Sequence, residues 1–247
     1  MKQTPILFQP EMVVAINKNL KSQTRRTKGL GKINQFPNDW KLCGISSDGL
    51  EFLFKNIYTE VIERIKSPYG VAGDLLWVKE TYRLCAWNYD DGEVKFEYKD
   101  GAKVWNNDFT NVEWLDRHIQ KLEEKGYITA ENAEFEGHYD KLKTLPWNPS
   151  IFMPKDACRT YLEILNVTPE RLNSINDFDA EQEGVDRICG FEDSIVFFNY
   201  KEDTIESHPF QNPKDSFQSL WQKINGIPSW YKNEWVWRIE FKITVKP

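Results

Sequence analysis

The sequence contains few of the residues that bind transition metals or form disulfide frameworks. Its three histidines and four cysteines are scattered over 247 residues, and no two cysteines form a Cys-x-x-Cys pair. Zinc sites need closely spaced cysteine and histidine ligands, and small secreted scaffolds need many paired cysteines. We therefore expect no structural metal and no cofactor, and the scattered thiols indicate a reducing cytoplasm.

Long hydrophobic runs and low-complexity tracts are also missing. No apolar stretch approaches the roughly 20 residues that a membrane-spanning helix requires, and the sequence shows neither a signal peptide nor an internal repeat. Hydrophobic residues make up 40% of the chain and charged residues 28%, which is typical of a globular protein. These features predict a soluble protein without a membrane partner, and they leave its oligomeric state open.

Acidic residues are absent from one segment of a chain that is acidic as a whole. The net charge is −6, yet no aspartate or glutamate lies between Met12 and Asn38. Six basic residues lie in that segment: Lys18, Lys21, Arg25, Arg26, Lys28 and Lys32. A local reversal of charge suits a phosphate or nucleotide partner. The alternative is a solvated basic loop, which is the usual explanation of a charge run.

Aromatic residues, by contrast, are abundant at 14% of the chain. Such side chains fill cores, and they also stack on nucleobases. Trp77, Trp235 and Trp237 lie in apolar strand patterns, which favours core packing. Tyr69 and Trp147 lie in loop-like sequence, so they are the better candidates for base stacking.

The hydrophobic patterns predict short strands with helices between them. A helix over residues 11–20 carries Leu20 on its apolar face, and Asn19 can adopt the left-handed conformation that ends it. Thr168 and Pro169 predict a helix start, and Asp177 is expected to cap a helix that reaches Glu183. Residues 235–245 alternate as a half-buried strand that closes the sheet.

This order of elements predicts an α+β fold built on a small β-barrel. We expect one domain over residues 1–247. Residues 85–145 have the composition of an α/β insertion within it, and residues 191–215 that of a surface excursion.

The run from Asn19 to Arg26, Asn-Leu-Lys-Ser-Gln-Thr-Arg-Arg, resembles the G-x-K-x-x-x-x-R signature of ASCH domains, with Asn19 at the position of the glycine. Other segments are similar to a larger ASCH-type protein that is frequent in bacteriophages and prophages. Among them are Gly-Asp-Leu-Leu-Trp-Val-Lys-Glu at 73–80, Ala-Glu-Gln-Glu-Gly at 180–184 and Trp-Val-Trp-Arg-Ile-Glu-Phe at 235–241. The resemblance extends nearly end to end and is weakest in the two insertions. It implies a PUA-like small mixed β-barrel with surrounding helices, in the cytoplasm of a bacterial host.

The resemblance also implies a chemistry. The family includes a small bacterial amidohydrolase that removes the acetyl group of N(4)-acetylcytidine with a lysine, a threonine and a glutamate. On the matching positions, Lys21 is the proton acceptor, Thr24 the nucleophile and Glu183 the proton donor. A lysine acts as a base only when its pKa is lowered, and the neighbouring cations and partial burial act in that direction.

Two functions therefore remain open. In the first, the protein recognises RNA, a nucleotide or a modified nucleoside, with Lys18, Arg25 and Arg26 binding an anion and Tyr69 and Trp147 stacking on bases. In the second, it is an amidohydrolase that acts on N(4)-acetylcytidine or a related nucleoside amide. One of the two arginines has a further alternative, a structural ion pair with Glu183 or Asp179. A metal-dependent nuclease is the weakest option, because the sequence shows no tight carboxylate cluster.

Overall fold

The structure, a computed structural model, describes residues 1–88, 91–128, 145–189, 195–200 and 209–246. Within these ranges the fold is mixed α+β and rich in sheet, as the sequence predicts. Residues 129–144 of the expected insertion, and 191–194 and 201–208 of the expected surface excursion, lie outside the described ranges.

The strands form one five-stranded sheet and three smaller ones. Numbered along the chain, the strands are β1 (Gln3–Leu7), β2 (Gln23–Arg26), β3 (Trp40–Ile45), β4 (Glu51–Asn56), β5 (Ile62–Lys66), β6 (Leu75–Lys79), β7 (Tyr82–Asn88), β8 (Glu93–Tyr98), β9 (Lys103–Asn106), β10 (Tyr161–Arg171), β11 (Arg187–Cys189), β12 (Ile195–Phe197) and β13 (Trp235–Thr244). The largest sheet has the order β1-β6-β10-β13-β2. The others are β3-β4-β5, β7-β8-β9 and the pair β11-β12.

Six α-helices lie in the described ranges. They are α1 (Pro10–Asn17), α2 (Gly31–Asn34), α3 (Val112–Glu124), α4 (Asp177–Gln182), α5 (Pro213–Asn225) and α6 (Pro228–Lys232). Asparagine caps three of them: the side chains of Asn111, Asn176 and Asn212 accept hydrogen bonds from backbone N–H groups in the first turns of α3, α4 and α5. The expected cap of α4, Asp177, is therefore wrong by one residue. None of these helices is both long and apolar enough to span a membrane.

The helix predicted at Thr168 and Pro169 is absent. Strand β10 continues through both residues to Arg171, and β6 and β13 flank it in the sheet. Proline at the start of an apolar pattern suits a first helical turn, but pairing within a sheet overrides such local preferences.

The turn after α1 follows the prediction at Asn19 and departs from it at Leu20. Helix α1 ends at Asn17, and Asn19 adopts φ +57° in the left-handed region. Leu20, expected on the apolar face, is 60% exposed, because the chain has already turned out of the helix.

The chain forms two compact units. Unit 1 comprises Met1–Thr4, Ala15–Leu76 and Leu162–Thr244, and unit 2 comprises Pro5–Val14, Trp77–Tyr161 and Val245–Pro247. In unit 1, α4, α5 and β13 bury a cluster that includes Ala180, Phe217 and Val236. In unit 2, the sheet β7-β8-β9 and α3 bury a cluster that includes Tyr82, Phe96 and Ile119.

Strand β13 carries the expected alternation along part of its length. Trp235, Trp237 and Ile239 are buried as predicted, but Val236 is buried as well, and Ile243 is exposed. The strand lies between β10 and β2 and does not form the edge of the sheet. A strand covered on both faces loses the contrast between its two sets of side chains.

Candidate functional site

The basic segment identified in the sequence enters a strand. Strand β2 pairs antiparallel with β13, so that Thr24 lies opposite Ile239, Arg25 opposite Arg238 and Arg26 opposite Trp237. Successive side chains of a strand point to opposite faces of the sheet. Gln23 and Arg25 therefore share one face of β2, and Thr24 and Arg26 share the other.

Burial shows that this segment is not a solvated loop. Lys21 is 3% exposed, Arg25 is 1% exposed, and Thr24 is fully buried. Arg26 is half-buried, whereas Lys18 and Lys28 are exposed. The solvated-loop interpretation is thus wrong for Lys21 to Arg26 and describes only the residues on either side.

Lys21 contacts Glu183 directly, although 162 positions separate them in the sequence. The Lys21 ammonium lies 2.6 Å from the Glu183 carboxylate oxygen Oε2 and donates a second hydrogen bond, also of 2.6 Å, to the Glu183 backbone oxygen. Glu183 is the C-cap residue of α4. Both side chains are almost completely buried. Because little solvent screens the two charges, the Lys21 ammonium and the Glu183 carboxylate interact strongly.

The end of α4 approaches the Lys21 backbone closely. The Ser22 N–H donates to the Gln182 backbone oxygen over 2.9 Å. Gly184 follows with φ +80°, and a Cβ atom at this position would lie 2.9 Å from the Cβ of Lys21. Only glycine combines that backbone conformation with so close an approach. Gly184 therefore lets Glu183 and Lys21 meet.

Arg25 is the centre of a buried ion network. Its Nε donates to Glu170 on β10 over 2.7 Å, its Nη1 to Glu183 over 3.0 Å, and its Nη2 to Asp179 on α4 over 3.3 Å. Gln23 donates to the other Asp179 oxygen over 2.9 Å. Arg25 is thus the arginine that forms the structural ion pair considered as an alternative. Its donors are directed to protein carboxylates, which leaves it unsuited to anchoring a ligand anion.

The electrostatics of the site favour a less basic Lys21. Burial lowers the pKa of Lys21, the Glu183 carboxylate opposes this effect, and the charges of Arg26 and Arg25 lower the pKa further. Burial also lowers the pKa of Arg26, and it raises the pKa of Tyr69, whose phenol senses the charge of Arg26. Lys21, Arg26 and Tyr69 therefore share one electrostatic environment in unit 1.

The Thr24 hydroxyl is a buried polar group that has no hydrogen-bond partner among the described residues. Such a group is costly in a folded protein. It lies on the face of β2 that also carries Arg26. The structure thus brings Lys21, Arg25 and Glu183 into contact, and it puts Thr24 on the strand face opposite Arg25.

The two stacking candidates lie in different surroundings. Tyr69 belongs to unit 1 and is 6% exposed, so its ring is part of the interior. Trp147 belongs to unit 2, where the Arg83 guanidinium and the Lys99 ammonium lie 4.5 and 4.4 Å from its ring centroid. Both cations already interact with the π-system of the Trp147 ring.

Three residues of the site, Glu170, Gln23 and Gly184, were not predicted to belong to it. Glu170 was not identified because residues 168–171 have the local features of a helix start; the alternating pattern of residues 159–167, continued to Arg171, would have assigned it to a strand. No group of three or more histidine, cysteine, aspartate or glutamate side chains is arranged to hold a metal ion in the part of the chain that the structure describes.

Comparisons of this chain with protein-family models, with curated proteins and with solved structures find no match. We therefore infer the function from the geometry of the site.

Proposed function

We propose that the chain is an ASCH-type protein with a PUA-like fold that binds a nucleobase or nucleoside, free or modified, beside Lys21, Thr24 and Arg26. The observation that carries this proposal is the buried contact between Lys21 and Glu183. Lys21 and Arg26 match the two charged positions of the ASCH signature, and the charge of Arg26 acts on Lys21. Arg25, which the signature does not include, is instead bound to carboxylates.

The charges of the site favour a small ligand over a phosphate backbone. The cations Lys21, Arg25 and Arg238 contact three carboxylates, those of Glu170, Asp179 and Glu183. Binding to a nucleic-acid backbone draws on several exposed cations that release counterions from the phosphates. The cations of this network are neutralised within the protein. A nucleoside, with base edges that accept and donate hydrogen bonds, fits such a site better.

Salt dependence tests the ligand class. We expect N(4)-acetylcytidine to bind with an affinity that changes less than about threefold between about 50 and about 300 mM salt, because no phosphate is involved. Calorimetric titration of the nucleoside and of a single-stranded oligonucleotide at both salt concentrations measures this. Oligonucleotide binding that weakens steeply with salt, without nucleoside binding, would refute the proposal.

An amidohydrolase is the second candidate, favoured by the lowered pKa of Lys21 and by the Thr24 hydroxyl, which has no hydrogen-bond partner in the part of the chain that the structure describes. In this reaction neutral Lys21 takes the hydroxyl proton as Thr24 Oγ1 attacks the amide carbon. The carbon–nitrogen bond then breaks, and the amine leaves with the proton that Lys21 has accepted. Water hydrolyses the acyl-threonine ester, which releases the carboxylic acid and regenerates the hydroxyl.

Turnover of N(4)-acetylcytidine to cytidine and acetate tests the second candidate. We expect Lys21→Ala to lower the rate by about 100-fold or more, in the range of a lost general base. Lys28→Ala removes an exposed lysine of the same segment and should leave the rate unchanged. If the folded wild-type protein binds the nucleoside but releases no acetate, the hydrolase candidate fails and the binding proposal stands.

A further inference from the structure

We propose that Arg25 is a positioning residue of this site, which holds Glu183 so that its second carboxylate oxygen stays on Lys21. This inference rests on the proposed function, because it concerns the same Lys21–Glu183 pair. It assigns a role to a residue outside the signature, and it separates that role from ligand binding.

The two oxygens of Glu183 are divided between two cations. Oε1 lies 3.0 Å from Arg25 Nη1, and Oε2 lies 2.6 Å from Lys21 Nζ. A carboxylate bound on both oxygens cannot rotate without losing one of these contacts. Arg25 therefore fixes the orientation in which Glu183 meets Lys21.

The guanidinium of Arg25 is itself held from several sides. Glu170 on β10 lies 2.7 Å from it, Asp179 on α4 lies 3.3 Å from it, and Gln23 on β2 accepts from Nη1 over 3.4 Å. The buried ring of Phe217 on α5 lies 5.8 Å from the guanidinium carbon. The rigid planar fork of arginine suits this arrangement, whereas the single ammonium of lysine does not.

Arg25 acts on a ligand only through Glu183. Its side chain is completely buried, and its face of β2 is the one that carries Gln23, opposite the face of Thr24 and Arg26. A loss of ligand affinity in an Arg25 variant would therefore report a displaced Glu183 and not a lost ligand contact.

The geometry also gives Glu183 a role beside the one that the resemblance implies. Arg25 donates to one of its carboxylate oxygens and Lys21 to the other. Glu183 thus serves as the partner of the Lys21 ammonium, and the role of proton donor stays a prediction.

The test compares Arg25→Gln and Arg25→Lys with a matched arginine elsewhere in unit 1. The side chain of Arg171 also donates three hydrogen bonds, to the backbone oxygens of Asn233 and Pro37 and to the Asn38 side chain, and none of these goes to Lys21, Arg25 or Glu183. Three measurements are made on each full-length variant: thermal unfolding, the NMR titration of the Lys21 side chain with pH, and calorimetric titration with N(4)-acetylcytidine.

We expect Arg25→Gln to weaken nucleoside binding by about tenfold, which is 1.4 kcal/mol. Its effect on the pKa of Lys21 combines two opposite changes, because the lost charge of Arg25 raises that pKa and a displaced Glu183 lowers it. Arg25→Lys keeps the charge but not the fork, so it isolates the displacement of Glu183: the pKa of Lys21 should fall, and binding should weaken by at least about threefold. Arg171→Gln should lose stability and leave the Lys21 titration and the affinity unchanged.

Two results would overturn the positioning role. One is a Lys21 pKa in Arg25→Lys that is the same as in the wild type or higher. The other is an Arg171→Gln variant that lowers the pKa of Lys21 as much as Arg25→Lys does. If the wild-type protein binds no nucleoside, the proposed function fails, but the Lys21 titration still decides the role of Arg25.

Discussion

The two adjacent arginines of β2 contact different surroundings because side chains alternate along a strand. Arg25 faces Glu170, Asp179 and Glu183, whereas Arg26 lies on the face of Thr24 and senses Tyr69. The sequence presents both as equivalent members of a basic run. Only the pairing of β2 with β13, and the position of α4, show that the two arginines differ in their surroundings.

The surroundings of Lys21 predict how a substitution at Glu183 changes the pKa of Lys21. Burial lowers the pKa of Lys21, and Glu183 is the main influence that raises it. We therefore expect Glu183→Gln to lower the pKa of Lys21 further, because the amide carries no negative charge to stabilise the ammonium. An NMR titration of labelled lysine side chains measures this shift.

The control for that shift is Glu181→Gln, which removes a carboxylate of α4 that pairs with Arg187 instead. It should leave the titration of Lys21 unchanged. An unchanged or raised Lys21 pKa in Glu183→Gln would contradict the electrostatic description of the pair.

Gly184 gives a steric prediction. We expect Gly184→Ala to destabilise the protein, because a Cβ atom would lie 2.9 Å from Lys21 Cβ and 3.3 Å from Ala15 Cβ. Gly73→Ala is the matched control, since Gly73 also has positive φ but open space around it. Urea unfolding should show that Gly184→Ala costs about 1–3 kcal/mol more than Gly73→Ala. Equal losses would mean that backbone strain alone, and not the approach of α4 to Lys21, requires this glycine.

At the scale of elements, the position of α4 determines the site. The helix carries Asp179 and ends at Glu183, and Asn176 caps its first turn by accepting from the Asp179 N–H over 2.8 Å. We expect Asn176→Ala to cost about 0.5–2 kcal/mol of stability and to weaken nucleoside binding. Chemical unfolding and calorimetric titration measure the two effects.

Asn111→Ala removes the equivalent cap of α3 in unit 2. It should cause a similar loss of stability without a change in affinity. If both cap variants bind the nucleoside as the wild type does, the position of α4 does not control the site.

Helix α3 gives a prediction about pH. Burial and the nearby charges of Lys121 and Lys125 lower the pKa of His118 from 6.5 to about 4, and its ring stacks on Trp114 at 4.7 Å. Between these two pKa values, His118 therefore binds a proton in the unfolded chain and is neutral in the folded chain. Neutral His118 makes its full contribution to the free energy of unfolding above pH 6.5, and this contribution is lost as the pH falls toward 4.

Unfolding of the wild type and of His118→Gln from pH 7.5 to pH 4, at about half-unit steps, checks this linkage. The stability of the wild type should fall more than that of the variant over this range. Parallel curves would show that His118 titrates normally in the folded protein.

At the scale of the whole molecule, local patterns predicted the α+β class and much of the secondary structure. Asn19 was predicted as a left-handed residue and is one, because its conformation depends on a single turn. An ion pair of one arginine with Glu183 or Asp179 was predicted as an alternative, but which arginine forms it, and its contact with Glu170, could not be predicted, since these contacts join β2 to residues 145–158 positions away. Because the end of β10 was predicted to be a helix start, Glu170 was not identified as a part of the site.

Titration of N(4)-acetylcytidine into wild-type, Lys21→Met and Lys28→Met proteins tests whether Lys21 forms part of a nucleoside site. Methionine keeps most of the lysine stem and removes the ammonium, and Lys28 is exposed in the same segment. We expect equal affinity for the wild type and Lys28→Met, and a loss of about tenfold or more, at least 1.4 kcal/mol, for a folded Lys21→Met. Equal affinity for all three proteins, or no binding by any of them, would refute the proposed site.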